Sequence, residues 1–219
     1  MHYILNIETA TKNCSVSLAK NGQTVVCKEI SELGYSHAEK LHLFIQEVLQ
    51  ESGVALSQLS AIAVSQGPGS YTGLRIGVST AKGLSYALQI PLIAVDTLLA
   101  LAHQVSECDG FIVPMIDARR MEVYSAIFDS NKQKIREVQA EIITAESFES
   151  ISETIYFIGD SNEKVKSVLT KPNFVYLDTI QYPSSKEMSN ISYQKFIEKN
   201  FEDVAYFEPY YLKDFLFAK

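Results

Sequence analysis

Cysteine is scarce in this chain and follows no pairing pattern. The three copies, Cys14, Cys27 and Cys108, are odd in number, far apart and never in Cys-x-x-Cys spacing. That excludes a disulfide framework and a zinc knuckle, and leaves them as small buried hydrophobes in a reducing compartment. Basic residues are also in deficit, with 19 Lys and Arg against 26 Asp and Glu and a formal charge of −7. Holding nucleic acid requires a basic face that neutralises phosphates, so the chain is not expected to bind RNA by itself. No run approaches the roughly eighteen uninterrupted apolar residues of a membrane span. Met1-His2-Tyr3-Ile4 enters a strand pattern without a basic region or cleavage site, and a cytoplasmic protein with no membrane partner is expected.

What is present is a globular composition, 47% hydrophobic and 21% charged over 219 residues, enough for one large domain or two lobes. Alternation at 3–8, 15–19 and 24–30, with Asn21-Gly22 between the last two, predicts three antiparallel strands and a hairpin turn. A helix is predicted over 36–52, with Ser36 and Glu39 at capping-box spacing, one apolar face carrying Leu41, Phe44, Ile45, Val48 and Leu49, and Gly53 as its stop. A strand at 59–65, a helix at 72–88, a strand at 91–95 and a helix at 97–107 after Asp96 complete the first half. The second half repeats the order. Strands are predicted at 111–116, 122–129 and 134–142, then helix 145–152, strand 155–159, helix 162–169, strand 174–177 and helix 185–199. Ungapped, the segment from Ile4 lies over that from Val113, with Glu8 over Asp117. Two such units, 1–108 and 109–219, predict an α/β fold of the two-lobed actin/hexokinase-like type. In that ribonuclease H-like architecture each lobe is a mixed sheet of three antiparallel strands plus crossover strands, flanked by helices.

The stretch "SQGPGSYTGLRIGVSTAKGLS" from Ser65 to Ser85 is neither the G-x-G-x-x-G of dinucleotide sites nor a P-loop, because Lys82-Gly83 has the wrong order. Ser70 does not sit in G-x-S-x-G and fits a helix cap better. Gly73, Gly77, Ala81 and Ser85 recur every fourth residue and form a ridge of nearly bare backbone. Each internal glycine costs a helix about 0.5–1 kcal/mol relative to alanine, a cost that close packing offsets. The 36–52 helix of the same lobe is one partner for the ridge, and a second chain is the other.

A catalytic set is missing. Ala10 in "ETAT" and Ala118-Arg119 in "DARR" stand at the hairpin turns where kinases of the actin-like superfamily approach phosphate through glycine. In "IGDSN" only Gly159 remains where an adenosine loop carries two glycines. His37 and His42 are five residues apart and do not share a helix face. No metal and no cofactor are expected. A small-molecule kinase of the same superfamily and a glycoprotease-like peptidase remain as rival readings.

"IETAT" at 7–11, "GPGSYTGLRIG" at 67–77, "IDARRMEVY" at 116–124 and "EPYYL" at 208–212 resemble the bacterial TsaB proteins, also called YeaZ. The resemblance implies a non-catalytic actin-like subunit that pairs with a catalytic paralogue, TsaD, and a small ATPase, TsaE. That assembly transfers a threonylcarbamoyl group from its adenylate to N6 of the adenosine beside the anticodon in tRNAs reading ANN codons. The paralogue would carry the metal site, and tRNA would be reached only through the complex. It further implies that the first-lobe helices contact the paralogue, or a second copy when the chain is alone. The interface residues expected are then Gly69, Tyr71, Thr72, Gly73, Leu74, Arg75, Gly77, Val78 and Ala81, with Leu41 and Ile45 on the preceding helix.

Overall fold

The computed structural model describes residues 1–31 and 37–212; the expected capping role of Ser36 lies outside them. β1 (Tyr3–Glu8), β2 (Cys14–Lys20) and β3 (Gln23–Ile30) run antiparallel, and β4 (Leu59–Gly67) and β5 (Leu92–Asp96) add in parallel, giving the order β3-β2-β1-β4-β5. Asn21 and Gly22, at φ +49° and +83°, make the primed turn whose twist matches the strands it joins. β1 and β4 are almost wholly buried, as central strands covered on both faces are, even though β1 carries Asn6 and Glu8.

The second sheet repeats this plan. β6 (Phe111–Asp117), β7 (Glu122–Phe128) and β8 (Lys134–Ile142) are antiparallel, and β9 (Ile155–Ile158) and β10 (Phe174–Tyr176) are parallel to β6, in the order β10-β9-β6-β7-β8. Glu8 and Asp117 end equivalent strands, as the sequence overlay requires.

Helices α1 (His37–Ser52) and α2 (Tyr71–Leu88) cover one face of the first sheet. Leu41, Phe44, Ile45, Val48, Val78 and Ala81 pack there on Leu5, Ile7, Val16 and Val64. α1 stops where Gly53 turns left-handed at φ +65° and Val54 N–H returns to the Leu49 carbonyl, the expected glycine stop. α3 (Thr97–Ala102) lies between the sheets: Ala100 packs with Ile4 and Ile93, while Leu98 and Leu101 pack with Ile112, Ile116 and Phe128.

α4 (Asn162–Val165) serves the second sheet, but α5 (Ser185–Ile197), although last in the chain, returns to the first. Met188 and Ile191 pack on Ile4, Ala61 and Ile93. Beside them Ser192 Oγ donates to Asn6 Oδ1 at 2.7 Å, Ser17 Oγ to the Ser185 carbonyl at 2.8 Å, and the Ser185 N–H to Ser15 Oγ at 3.0 Å. These buried polar groups satisfy one another across the helix–sheet contact.

Three predicted helices differ from the structure. Residues 145–152 form consecutive turns, closed by Ser147 N–H to Thr144, Glu149 N–H to Glu146 and Ile151 N–H to Phe148. Phe148, at φ +62°, swings its ring onto Phe157, and that burial overrides helical continuity. α3 ends at Ala102 rather than 107, because Gln104 and Val105 bond to carbonyls three residues back and turn Val105 into the core. α4 is cut to one turn, with the chain continuing through Leu169 as a turn that buries Leu169.

Met188 is fully buried between α5 and the first sheet. Met188→Ala is expected to lower the unfolding free energy by about 2–5 kcal/mol, read from urea denaturation. A value under about 1 kcal/mol would mean that α5 is not docked as described.

Candidate partner surface around the first hairpin

The connection between β1 and β2 is clamped from both sides. Glu8 Oε1 accepts from the Ala10 N–H at 2.6 Å, the Ala10 carbonyl accepts from the Ser70 N–H at 2.6 Å, and Thr9 Oγ1 donates to the Gly73 carbonyl at 2.8 Å. His37 Nε2 donates to the Thr11 carbonyl at 2.8 Å, tying the same connection to α1. Ser70 caps α2, its hydroxyl accepting from the Gly73 N–H at 3.3 Å, as its position suggests.

Gly69 in the preceding loop and Gly73 and Gly77 on α2 serve this contact. A Cβ on Gly69 would stand 2.2 Å from the Ala10 carbonyl oxygen, one on Gly73 2.1 Å from that of Thr9, and one on Gly77 2.2 Å from Thr9 Oγ1. The ridge therefore faces inward, and over Gly69, Gly73 and Gly77 its partner is the β1–β2 connection of the same chain. Neither of the two partners considered from sequence, α1 or a second chain, occupies that position. Leu74, Val78 and Ala81 are buried beside it, as are Leu41 and Ile45 on α1. Of the expected interface residues, Thr72 and Arg75 are exposed, and Tyr71 and Gly69 are half-buried.

The outward face of α2 has a different composition. The Arg75 guanidinium lies 4.2 Å from the centre of the Tyr71 ring, which in turn meets Tyr211 at 4.9 Å. Tyr86 is 73% exposed, and Leu43 projects from α1 at 43%. The tail runs alongside: Glu202 N–H donates to the Leu92 carbonyl at 2.9 Å, Lys82 Nζ to the Phe207 carbonyl at 2.8 Å, and Tyr210 N–H to the Gln66 carbonyl at 2.7 Å. Three of the quoted motifs, 7–11, 67–77 and 208–212, thus meet at one end of the first sheet. The fourth, 116–124, stands on the second. Sequence reasoning missed the tail's part in this surface; its signal was a pair of tyrosines, Tyr210 and Tyr211, beyond the last helix.

Glu8 is the chemically unusual group. It is fully buried, and burial pushes its carboxyl up to about 7 against the pull of the Ala10 N–H and the Ser65 hydroxyl. Burial, with Glu8's charge adding to it, pushes the neighbouring Cys14 thiol up to about 11. On the second hairpin Asp117 is the more exposed counterpart. Burial acts to raise its carboxyl, but Lys164 and the Arg119 N–H hold it below the ordinary range. Gly159, at φ +111°, has the Met115 carbonyl oxygen 2.0 Å from where a Cβ would stand, so this glycine lets two strand ends meet. Among the described residues no three His, Cys, Asp or Glu side chains converge as a metal site, and no helix is long and apolar enough to cross a membrane.

A family model described as TsaD, tRNA N6-adenosine threonylcarbamoyltransferase, matches residues 30–213. The chain is 30% identical to the tRNA threonylcarbamoyladenosine biosynthesis protein TsaB of Escherichia coli, over 96% of this chain and 94% of that one. It is 33% identical to the tRNA N6-adenosine threonylcarbamoyltransferase of Bacillus subtilis, over 52% of this chain and 37% of that one. Its fold superposes on YeaZ from Pseudomonas aeruginosa with a TM-score of 0.83 and 27% identity, covering 97% of this chain and all of the other.

Two glycines of one helix give opposite expectations. Gly83 is exposed with nothing within 4 Å of a Cβ, so Gly83→Ala should stabilise by about 0.5–1 kcal/mol. Gly73→Ala should destabilise by about 1–3 kcal/mol despite the same helical gain, because the obstructing atom is backbone. Urea midpoints that move in the same direction would refute the inward packing.

Glu8 supplies a pH test. An unfolded carboxyl titrates near 4.3, so between that pH and about 7 the folded state holds the extra proton and stability falls as pH rises. Glu8→Gln should remove this fall, with the difference growing in its favour by up to about 3 kcal/mol between about pH 5 and pH 8. Parallel stability–pH curves would contradict it.

Proposed function

The chain belongs to the TsaB (YeaZ) family of tRNA threonylcarbamoyladenosine biosynthesis proteins, and from that premise we propose that it is the non-catalytic subunit of a tRNA threonylcarbamoyl transferase assembly. Its partner is a TsaD-like paralogue that performs the transfer to N6 of adenosine, with a TsaE-like ATPase attached, in the cytoplasm. The chain pairs with itself when the paralogue is absent.

The observation that carries this reading is the state of the first hairpin. Ala10 is fully buried, its N–H is taken by Glu8 and its carbonyl by Ser70. The place from which a phosphate would be approached is filled by the 67–70 loop of the chain itself. This speaks against the kinase reading. The peptidase reading finds Ser70 spent on capping α2 and His37 spent on Thr11, rather than on each other.

The docking surface is the outward face of α1 and α2. Arg75, Tyr71, Tyr86 and Leu43 supply the arginine, aromatic and aliphatic side chains from which binding hot spots are built. Gly73, Gly77 and Ala81 contribute by fixing how close α2 sits to the sheet, and Leu74, Val78, Leu41 and Ile45 by filling the core beneath. The homology to both TsaB and the transferase itself is consistent with association between two copies of one fold.

Arg75→Glu leaves the core untouched and is expected to weaken association with the paralogue by more than tenfold, while the urea midpoint stays unchanged. Light scattering behind a sizing column and calorimetric titration measure it. Association at wild-type affinity would remove the α2 face from the interface.

A further inference from the structure

The β6–β7 turn carries Arg119 and Arg120 side by side, both exposed and both left-handed, at φ +74° and +51°. Glycine or asparagine would enter that region at lower cost. The chain instead holds two bulky cations there and braces them. Asp160 Oδ1 accepts from the Asp117 N–H at 2.8 Å, and Asp117 Oδ1 accepts from the Arg119 N–H at 2.8 Å. The Glu122 N–H donates to the Arg119 carbonyl at 3.1 Å, and Lys164 Nζ donates to both the Glu122 carbonyl and Asp117. Such over-determined strain concentrates where a group must be presented.

What the turn presents is unpaired. Neither guanidinium has a hydrogen bond or an ion pair among the described residues, whereas Lys28, Lys134, Arg136, Lys164, Lys166 and Lys171 all meet carboxylates. Lys20 and Lys186 too meet no carboxylate among the described residues, but Arg119-Arg120 is where two basic residues stand adjacent in the sequence. Lys12, exposed on the β1–β2 connection, lies within electrostatic reach of Asp117 and Asp160 and adds a third cation from the facing hairpin. The turn itself, residues 117–122, exposes no large apolar side chain, and the exposed aliphatic beside it is Ile142, across from Glu122 on β8, so the tip presents charge rather than an apolar anchor.

We propose that Arg119 and Arg120 contact the phosphodiester backbone of RNA. The planar N–H fork of arginine matches phosphate oxygens, and contacts of this kind position an RNA without reading its bases. The proposal rests on the assembly reading only for the delivery of tRNA, because an acidic chain contributes a few phosphate contacts rather than a whole binding face.

The test is fluorescence anisotropy of labelled, unmodified tRNA titrated with the complex of the full chain and its TsaD-like paralogue, over a series of salt concentrations. Arg119→Gln/Arg120→Gln should lower affinity about tenfold at the lowest salt and reduce the slope of log K against log salt by about 1–2. Arg119→Lys/Arg120→Lys should keep most of both. Unchanged affinity and slope overturn the proposal, as does weaker binding with an unchanged slope. A sizing column checks that the Gln variant still assembles; loss of assembly would place the turn against protein and overturn it too. If the wild-type chain and the paralogue do not associate, the assembly reading fails on its own. The same comparison is then made on the full chain alone at the lowest salt, where a reduced slope supports the proposal and either no detectable binding or an unchanged slope overturns it.

Discussion

The architecture of the first lobe depends on the contact between the β1–β2 connection and the glycine face of α2. A Cβ at Gly69 or Gly73 would fall about 2 Å from a backbone carbonyl oxygen, far inside van der Waals contact. Only bare backbone lets the Ser70 N–H reach Ala10 and Thr9 reach Gly73. That contact sets the height of α2 above the sheet, and with it which residues of α2 look outward. His37 extends the same clamp to α1 through Thr11. The outward face that carries Arg75 and Tyr71 is therefore a consequence of the inward face being glycine.

The two sheets share one topology but are held as one body by elements that ignore the division of the chain. α3 follows the first sheet and packs on both. α5 follows the second sheet and packs on the first, with a serine-rich face meeting Asn6, Ser15 and Ser17. The serines are costly in an apolar core unless paired, and their pairing requires α5 in one register against β1 and β2. The tail then continues from α5 to the β5 edge and the 67–70 loop. The far end of the chain thus stabilises the near end.

Much of this was legible from local signals. Asn21-Gly22, Ser70, Gly53 and Asp96 each specify a turn, cap or stop by chemistry confined to a few residues, and each does so in the structure. The duplication was legible in the repeated order of elements and in the overlay that puts Glu8 and Asp117 at the ends of equivalent strands. The 145–152 helix was misread because its turns follow from Phe148 reaching Phe157 across the second sheet, which no local pattern encodes. The glycine ridge was legible as a close contact but not in its partner. A four-residue spacing says that something approaches within backbone distance, and is silent on whether that is a helix, a loop or another chain.

The two hairpins begin from the same place in a repeated unit and end in opposite electrostatic states. At the first, Glu8 is fully buried, burial pushes its carboxyl up to about 7, and its Oε1 holds the turn through the Ala10 N–H. At the second, the equivalent loop after β9 reaches the strand end, where Asp160 accepts from the Asp117 N–H, and leaves Arg119 and Arg120 exposed. Asp117 stays in reach of solvent, Lys164 keeps it ionised, and its carboxylate fixes the backbone from which Arg119 and Arg120 project. Gly69 in the loop and Gly73 and Gly77 on α2 accompany the first outcome, since they let the loop and helix descend onto the turn. The segment after β9 has only Gly159 and a one-turn helix, too little bare backbone to cover its counterpart. The two units thus differ in glycine content after the fourth strand in step with one hairpin being covered and the other open and charged.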